Sequence, residues 1–502
     1  MRKFNRCDVL KLAGIGVVAL SFPMLGKAGP TPNIVIVLAD DFGYGDAACF
    51  DPQFSKIPTP NIDRLARAGM SFTSAHSSAA CCSPTRYGLL TGRYNWRSRL
   101  QAGVIPEYGA PLIAPDRLTI AGLLKQQGYQ TACIGKWHLG MQWPKQGRKV
   151  VFDEPVAEGP TARGFDYYFG VDAPNMSPYT FIENDRVTVP PTERFAGDKD
   201  LMITHPGPMA PGWRFDRILS TLTEKAADYI GQKAQAKQPF FLYFALTTPH
   251  DPIAPSEQFK GKSGISGVGD LIMETDWALG QVMEALAKNG VAGNTLVIFT
   301  SDNGHSPNTK VQPFINAGHR VSGPFRGYKR DAWEGGHHVP FVVSWPGMVN
   351  PDSQCAQPVS LNDVMTTCAQ ITGAKIPDNA AEDSFSLLPL LKGEKSFGRE
   401  AVVSHSSKGT FAIQRGQWKL IVEPGSGSGD TAAEPGQLYN LAADIGETKN
   451  LYAQNPELVT EMTALLKKYI DDGRSTPGPK QTNDAPVELN KKTGGDKGEP
   501  EA

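Results

Sequence analysis

The sequence lacks a dominant charge of either sign. It contains 50 lysines and arginines against 51 aspartates and glutamates in 502 residues, for a formal net charge of −1. Nucleic-acid binders rely on a broad cationic field, and a strong charge can also attach a protein to a membrane surface. The near balance argues against both classes, so any affinity for anions must be local.

Long apolar segments are also scarce, because no stretch after residue 28 is long enough to span a bilayer. The apolar run 9–25 follows three basic residues and precedes a small-residue site, which is typical of a secretory signal peptide over residues 1–28. Export by either the Sec or the Tat route fits this segment. We expect a bacterial periplasmic or secreted protein without stable membrane insertion.

Cysteines are few, with seven in the chain. Without Cys7, which leaves with the signal peptide, and Cys82, discussed below, five remain and cannot all pair. Cys355 and Cys368 could form a disulfide in an oxidising compartment, and buried free thiols fit equally well. The cysteine spacing therefore leaves both possibilities open.

Short apolar runs have the composition of strands buried on both sheet faces. They occupy residues 34–38, 131–134, 240–246 and 296–300. Segments of helical periodicity lie between them, including capped helices near residues 59–68 and 119–127. This alternation predicts an α/β fold in which helices sandwich a large mixed, mostly parallel sheet.

The pattern changes near residue 395. Short strands are predicted at residues 401–403, 411–414 and 418–422, followed by a helix at 456–471. We expect residues 29–395 to form the catalytic domain and 396–473 a smaller C-terminal α+β subdomain with a short antiparallel sheet. Residues 474–502 have almost no large apolar side chains, which predicts a disordered tail.

Polar pairs follow two of the predicted strands. Asp40 and Asp41 follow the first strand, and Asp302 and Asn303 follow the strand at 296–300. Open α/β sheets bind ligands at the carboxyl ends of their strands. Three carboxylates and an amide suit a hard divalent cation such as calcium better than zinc.

Cationic side chains follow other predicted strand ends. Lys136 and His138 follow residues 131–134, His250 follows 240–246, and Lys329 lies in a basic loop. Each residue alone would be assigned a structural role or a solvated charge. Gathered beside carboxylates, they are the groups that the oxygens of a bound oxyanion require.

A short motif connects these residues with a known chemistry. Residues 82–86 read Cys-Ser-Pro-Thr-Arg, and Thr-Gly-Arg follows at 91–93. The C-x-P-x-R pattern resembles the signature of type I sulfatases of the alkaline phosphatase superfamily, and the resemblance runs from Asn33 to about residue 441. Alone, the motif has roughly even odds of being a buried structural cysteine; the residues at the strand ends favour the family.

The resemblance implies that a formylglycine-generating or anaerobic sulfatase-maturing enzyme converts Cys82 to formylglycine (3-oxoalanine). A thiolate that attacked sulfur would leave a dead-end adduct, whereas a hydrated aldehyde can expel sulfate and re-form. The implied calcium ligands are Asp40, Asp41, Asp302, Asn303 and residue 82. The other implied roles are Arg86 for the hydrate, Lys136, His250 and Lys329 for the sulfate ester, His250 or Lys329 for the leaving alcohol, and His138 for the hydroxyl proton.

The substrate is suggested by segments 87–96 and 333–336, which are similar to arylsulfatase A and N-acetylgalactosamine-6-sulfatase-like enzymes. They favour a sulfated carbohydrate, preferably a 6-O-sulfated galactose or N-acetylgalactosamine unit. The loops at 143–215 and 304–325 are candidates for substrate contacts. Their candidate sugar-binding residues, which could equally order the loops, are Asp172, Asn175, His319 and Arg320.

Two other functions are compatible with parts of the pattern. A phosphomonoesterase or phosphodiesterase of the same superfamily would use a Ser or Thr nucleophile and extra His and Asp ligands for two transition metals, which do not accompany these strand ends. A catalytically idle glycan-binding protein would result if Cys82 remained a thiol. One departure from many relatives is His338, where they have an arginine before Val-Pro, and this leaves a structural salt bridge open.

Overall fold

A computed structural model describes residues 31–395, 397–426 and 435–489. Contacts group the described residues from Pro32 onward into one compact unit. The predicted signal peptide, residues 1–28, lies outside the described residues. None of the helices in the described ranges has the length and apolar character needed to cross a bilayer.

Strands and helices alternate along most of the chain. The strands are β1 Asn33–Asp40, β2 Met70–Phe72, β3 Ala75–His76, β4 Gln130–Lys136, β5 Lys145–Gln146, β6 Lys149–Val150, β7 Tyr167–Val171, β8 Ile182–Glu183, β9 Arg186–Val187, β10 Glu193–Phe195, β11 Gly207–Met209, β12 Phe240–Pro249, β13 Thr295–Ser301, β14 Phe341–Ser344, β15 Ser353–Cys355, β16 Val359–Ser360, β17 Val402–His405, β18 Phe411–Arg415, β19 Trp418–Ile421 and β20 Gln437–Asn440. The α-helices are α1 Pro60–Arg67, α2 Cys82–Thr91, α3 Ile120–Gln126, α4 Ile218–Ala236, α5 Gly267–Lys288, α6 Gln312–Asn316, α7 Glu334–His337, α8 Val364–Thr372, α9 Leu388–Leu391 and α10 Pro456–Asp471.

The central sheet has ten strands in the order β15-β2-β14-β13-β1-β12-β4-β7-β8-β9. Its middle strands, from β13 through β1, β12 and β4 to β7, are parallel, and antiparallel strands flank them. The register aligns Ile36 of β1 with Tyr243 of β12 and Ile298 of β13. This arrangement confirms the predicted mixed, mostly parallel sheet.

Each face of β1 packs into a separate apolar core. Ile34 and Ile36 belong to the core that includes residues of α2, α3 and α8, whereas Val35 and Val37 belong to the core that includes residues of α1, α4 and α5. The alternation follows from the two-residue period of a strand, and burial on both sides explains the continuous apolar run. Helices therefore cover both sheet faces, as expected.

A second, smaller sheet follows residue 400. Strands β17 to β20 form an antiparallel sheet in sequence order, and Met462 and Leu466 of α10 share a core with Phe411 and Leu420. Tyr94 and Trp96, from the segment after α2, complete that core. The short antiparallel sheet and its helix are therefore present in the C-terminal region, and the boundary at 395/396 remains a proposal.

The predicted disorder from residue 474 is corrected for residues 474–489. Arg93 donates from Nη1 and Nη2 to the two carboxylate oxygens of Asp484 at 3.0 Å each. The backbone N–H of Asp484 donates to the Arg97 carbonyl at 2.7 Å. Composition misled the prediction because this stretch is held by charged and backbone hydrogen bonds to buried arginines, with little apolar burial of its own.

Two further features complete the description of the fold. Residues 490–502 of the predicted tail lie outside the described residues. Cys355 and Cys368 are free thiols in the structure. The segment 143–215, predicted as irregular, contains the short strands β5 to β11, which pair mostly as two-stranded ribbons or at the sheet edge.

Candidate active site

The candidate site lies at the carboxyl edge of the parallel strands. Asp40 is the last residue of β1 and Lys136 the last of β4, while Asp302 and His250 directly follow β13 and β12. Neighbouring parallel strands end on the same side of a sheet, so these side chains converge. The structure thus brings together residues that lie far apart in sequence.

Helix α2 carries Cys82 to this edge. The helix begins at Cys82, with Cys81 in extended backbone before it, and Pro84 is tolerated because it lies in the first turn. The Sγ atom of Cys82 is 3.7 Å from Asp40 Oδ1. Gly92 ends the helix with a φ of 65°, a conformation that favours glycine. Both halves of the sequence motif therefore have a role in the geometry of α2.

Buried carboxylates and cations alternate around Cys82. Arg86 donates from Nε and Nη2 to Asp302 Oδ2 at 3.0 and 2.7 Å. Lys136 Nζ is 2.8 Å from Asp40 Oδ2. Burial raises the pKa of Asp40, but the nearby Lys136 and other cations outweigh it and hold that pKa well below its ordinary value. Asp40 is therefore ionised.

Lys329 joins the same cluster from the loop before α7. Its Nζ is 2.8 Å from Asp41 Oδ1, and its backbone N–H donates to the His305 carbonyl at 2.9 Å. Burial lowers the pKa of Lys329, but Asp41 outweighs it and raises the pKa above its ordinary value. The ammonium group therefore remains charged.

The oxygen atoms at the strand ends fit a hard cation. Ligand atoms of Asp40, Asp41, Cys82 and His250 lie within 4.8 Å of one another. Asn303 donates through Nδ2 to Asp41 Oδ1 at 2.7 Å, while its buried Oδ1 has no hydrogen-bond partner. A buried acceptor without a partner, beside ionised carboxylates, is the environment in which a divalent cation would bind.

The thiol of Cys82 is buried and unreactive. The residue is 1% exposed, and burial raises its pKa to about 12. Because the thiolate, not the thiol, is the nucleophilic form of cysteine, an unmodified Cys82 is a poor nucleophile at neutral pH. Lys136 and Lys329 oppose this shift without overcoming it.

Two histidines line the space above Cys82. His138 donates from Nε2 to the Ile105 carbonyl, 3.1 Å away, and its buried Nδ1 has no partner. Burial and Lys136 lower the pKa of His138 well below its ordinary value, so the ring is neutral. His250 Nδ1 is 2.8 Å from the Asp251 carbonyl, and burial lowers the pKa of His250 to about 4.

A cavity of about 610 Å³ opens over these groups, within the roughly 300–1,000 Å³ range of small-molecule sites. Its lining includes Cys82, His138, His250 and Lys329. Asn175 also lines it, is 1% exposed, and has an amide Nδ2 without a hydrogen-bond partner. An unpaired buried donor facing a cavity is suited to bind a polar ligand.

The other predicted sugar contacts do not reach this cavity. Asp172 Oδ1 accepts from the His138 backbone N–H at 3.2 Å, so it positions that residue instead of lining the cavity. His319 is held by Asp46 at 2.8 Å, and Arg320 stacks over the ring of Phe54. Buried pairing and ring stacking occupy the side chains of His319 and Arg320, neither of which lines this cavity, and their assignment to sugar contacts stays a prediction.

Several cavity residues were not predicted from the sequence. They are Cys81, Gly103, Val104, Pro106, Glu107, Met176, His205, Arg330 and Ser407. Most lie on loops brought together by tertiary packing, with no strand end or motif to mark them. The loop at 143–215 does contribute, through Asn175 and His205, whereas 304–325 contributes no lining residue.

The sequence matches two family models. Residues 32–374 match the Sulfatase model, and residues 325–475 match the model for the C-terminal region of N-sulphoglucosamine sulphohydrolase. The chain is 35% identical to the N-acetylgalactosamine-6-O-sulfatase of Bacteroides thetaiotaomicron, with 88% of this chain and 94% of the relative covered. It is 32% identical to human arylsulfatase A, with 90% of each chain covered.

Solved structures show the same architecture. One is a Bacteroides thetaiotaomicron structure associated with the metabolism of multiple glycosaminoglycans, with a TM-score of 0.78 and 32% identity over 87% of this chain and 99% of the other. Another is a sulfatase from Pseudoalteromonas sp., with a TM-score of 0.68 and 25% identity over 88% and 91% of the two chains. Family match, relatives and strand-end geometry agree that this chain belongs to the sulfatase family and is a sulfuric ester hydrolase.

Proposed function

We propose that the protein removes sulfate from a sulfated carbohydrate, preferably a 6-O-sulfated galactose or N-acetylgalactosamine unit of a glycan. The observation that carries the proposal is the cavity, which joins a cation-rich end to polar groups able to bind sugar hydroxyls. The 35% identity to an N-acetylgalactosamine-6-O-sulfatase supports the choice of sugar.

The proposed nucleophile is formylglycine, formed from Cys82 by a sulfatase-maturing enzyme. The hydrated aldehyde would supply hydroxyl groups at the position of a thiol whose pKa of about 12 makes it unreactive. Arg86, held rigidly by Asp302 at 2.7 Å, would orient that group through its planar donors. His138 would accept a proton at Nδ1, the buried ring nitrogen without a partner.

Calcium is the proposed metal, held by Asp40, Asp41, Asp302, Asn303 and residue 82. When bound, it would supply positive charge to the sulfate oxygens and to the nucleophile. The fit rests on the ionised Asp40 and the unpaired Asn303 Oδ1.

The remaining cations would bind the ester and assist the leaving alcohol. Lys136 and Lys329 lie within ion-pair distance of Asp40 and Asp41, so they border the same sulfate position. Lys329 stays protonated, and the negative charge of a bound sulfate ester would favour a protonated His250 as well. Either residue could then give its proton to the leaving oxygen.

The experiment combines peptide mass spectrometry of the fragment containing Cys82 with a chromogenic aryl sulfate assay. The protein is purified from a host able to mature sulfatases. We expect formylglycine at position 82, sulfate release that stops when calcium is chelated, and no turnover by a folded Cys82→Ala variant. Wild-type turnover by Cys82→Ala would contradict the mechanism, and an unmodified thiol in a competent host would favour an idle glycan-binding protein.

A further inference from the structure

One wall of the cavity differs in charge from the rest. The basic side chains that line the cavity in the described part of the chain are His138, His205, His250, Lys329 and Arg330. Glu107 is the one carboxylate among the described lining residues. Val104 and Pro106 are near it in sequence, while Asn175 and Met176 directly precede Ser177, which is hydrogen-bonded to it. These five lining residues, Val104, Pro106, Glu107, Asn175 and Met176, are called the sugar wall.

The carboxylate of Glu107 is held in place by hydrogen bonds to one of its oxygens, and its other oxygen can still accept a hydrogen bond. Its Oε1 accepts hydrogen bonds from the backbone N–H of Ser177 at 2.7 Å and from the Ser177 hydroxyl. The Ser177 hydroxyl also lies 2.9 Å from the Tyr108 hydroxyl. No ion pair or hydrogen bond to a described residue involves Oε2. That oxygen is left to accept a hydrogen bond from a ligand.

A fixed anion beside a sulfate-binding site has a selective effect. A sugar hydroxyl can donate to the free oxygen of Glu107, whereas a second sulfate or a carboxylate at that point would be repelled and would leave both charges unpaired. The apolar side chains of the sugar wall suit the C–H face of a pyranose or the methyl of an acetamido group.

Resting on the proposed function, we propose that Glu107 is a specificity-determining residue. Its carboxylate binds a free hydroxyl of the sulfated sugar and selects against sugars that carry a second anionic group at that point. The favoured substrates are therefore monosulfated, otherwise neutral hexoses or hexosamines, and multiply sulfated units require prior removal of the other sulfate by another sulfatase.

The test measures binding, so it does not depend on turnover. The Cys82→Ser variant, which keeps an oxygen atom at the proposed calcium site, is loaded with calcium and titrated by calorimetry with N-acetylgalactosamine 6-sulfate, with the 4,6-disulfate and with the 3,6-disulfate. The same titrations are made with two double variants, which carry Glu107→Gln or Glu107→Asp in addition to the substitution at position 82. Glu257→Gln is the matched control, because that carboxylate is 81% exposed. Thermal unfolding verifies that each variant is folded.

We expect the monosulfated sugar to bind at least about tenfold more tightly than one of the disulfates. Glu107→Gln should reduce that ratio to below about threefold, Glu107→Asp should retain more of it, and Glu257→Gln should not change it. Equal binding of all three sugars, a ratio insensitive to Glu107→Gln, or no binding of any sugar overturns the proposal. Loss of the proposed sulfatase function is detected separately, by the aryl sulfate assay on matured protein.

Discussion

Arg86 shows how much of the site depends on one side chain. Its guanidinium donates to Asp302 from Nε and Nη2, and it donates to the Lys136 carbonyl from Nη1 at 3.1 Å. It thereby links three secondary-structure elements, α2, β4 and the end of β13, near the position where Cys82 lines the cavity. A planar fork can make these contacts together, whereas a single ammonium cannot.

The variant Arg86→Lys tests this geometry without changing the charge. We expect turnover to fall about 100-fold or more, because the nucleophile loses its fixed partner. The free energy of unfolding should fall by about 2 kcal/mol from lost charged hydrogen bonds. Steady-state kinetics and denaturant unfolding measure the two effects. Arg415→Lys is the control, since Arg415 is 42% exposed with ion-pair distances of 3.5 Å or more; similar losses in both variants would contradict the role of Arg86.

A second buried pair, Arg97 and Asp383, lies outside the cavity. Arg97 donates to both carboxylate oxygens of Asp383 at 2.8 Å, and both side chains are fully buried. Burial raises the pKa of Asp383, but Arg97 outweighs it and lowers that pKa below its ordinary value of 3.8. A carboxyl with a depressed folded pKa stabilises the fold above its unfolded pKa and loses that contribution as the pH falls through its folded value.

The variant Asp383→Asn should therefore be destabilised in a pH-dependent way. Above about pH 4 we expect a loss of about 3–5 kcal/mol, because Arg97 is left buried without a counter-charge. Below about pH 4 the gap to wild type should narrow as the wild-type carboxyl takes up a proton. Unfolding midpoints from pH 2.5 to 7 measure the gap, and a gap that stays constant across this range would contradict the linkage.

Among the elements, the end of β4 is packed tightly against its neighbouring strands. Gly135 has a φ of 119°, and a Cβ there would lie 1.7 Å from the Ala245 carbonyl oxygen of β12. A Cβ at the neighbouring Gly170 of β7 would likewise lie 1.8 Å from the Gly135 carbonyl oxygen. Because Gly135 and Gly170 have no side chains, β12, β4 and β7 can approach one another closely next to Lys136, the last residue of β4.

The variant Gly135→Ala should force β4 and β12 apart. We expect a loss of about 2 kcal/mol or more in unfolding free energy, together with reduced turnover because Lys136 is displaced. Gly122→Ala is the control: its Cβ would meet Leu118 and Thr119 only at ordinary contact distances, 3.5 and 3.6 Å. Wild-type stability and kinetics of Gly135→Ala would show that the strands can separate at little cost.

Helix α7 connects the central sheet with the C-terminal sheet. Glu334, its first residue, accepts from His338 at 2.8 Å and pairs with Lys419 of β19 at 2.8 Å. Lys419 also pairs with Glu447 at 2.9 Å. His338 thus keeps a hydrogen-bonded partner for Glu334, and the salt bridge that the sequence left open is made to Glu334 by Lys419.

At the scale of the whole molecule, the parallel core could be predicted from the sequence. Residues 34–38 and 240–246 fall within β1 and β12, because burial on both faces selects continuous apolar runs. The residues at the strand ends followed from the same reasoning. Glu107 and Ser407 could not be predicted, because loops that meet only through tertiary packing carry no periodic signal.

For the C-terminal tail, residues 474–489, the sequence gives a signal, but that signal is misleading. Its composition predicts disorder, and composition does not reveal that the buried Arg93 and Arg97 donate hydrogen bonds to Asp484 and Asn483 of the tail. Arg93 still pairs with Glu382 at 3.2 Å, so the tail adds to an existing contact. Long-range charge pairing of this kind, between residues separated by 391 positions, leaves no local pattern.

Truncation after residue 473 tests the contribution of the tail. We expect the unfolding temperature to fall by about 3–6 °C, because the bidentate bonds of Arg93 to Asp484 and the bonds around Arg97 are lost. Truncation after residue 489 is the control, because it keeps every described contact. Calorimetry compares the two chains, and equal unfolding temperatures would show that the described tail contacts contribute nothing measurable.

The attachment of the tail also affects the order of events during synthesis. The flank of α2 cannot be completed until Asp484 leaves the ribosome, 391 residues after Arg93. At usual translation rates this delay is roughly 20–80 s. Cys82, the first residue of the same helix, is 1% exposed in the finished protein. The segment directly after the helix that carries Cys82 therefore gains its ion pair with the tail only when nearly the whole chain has been made.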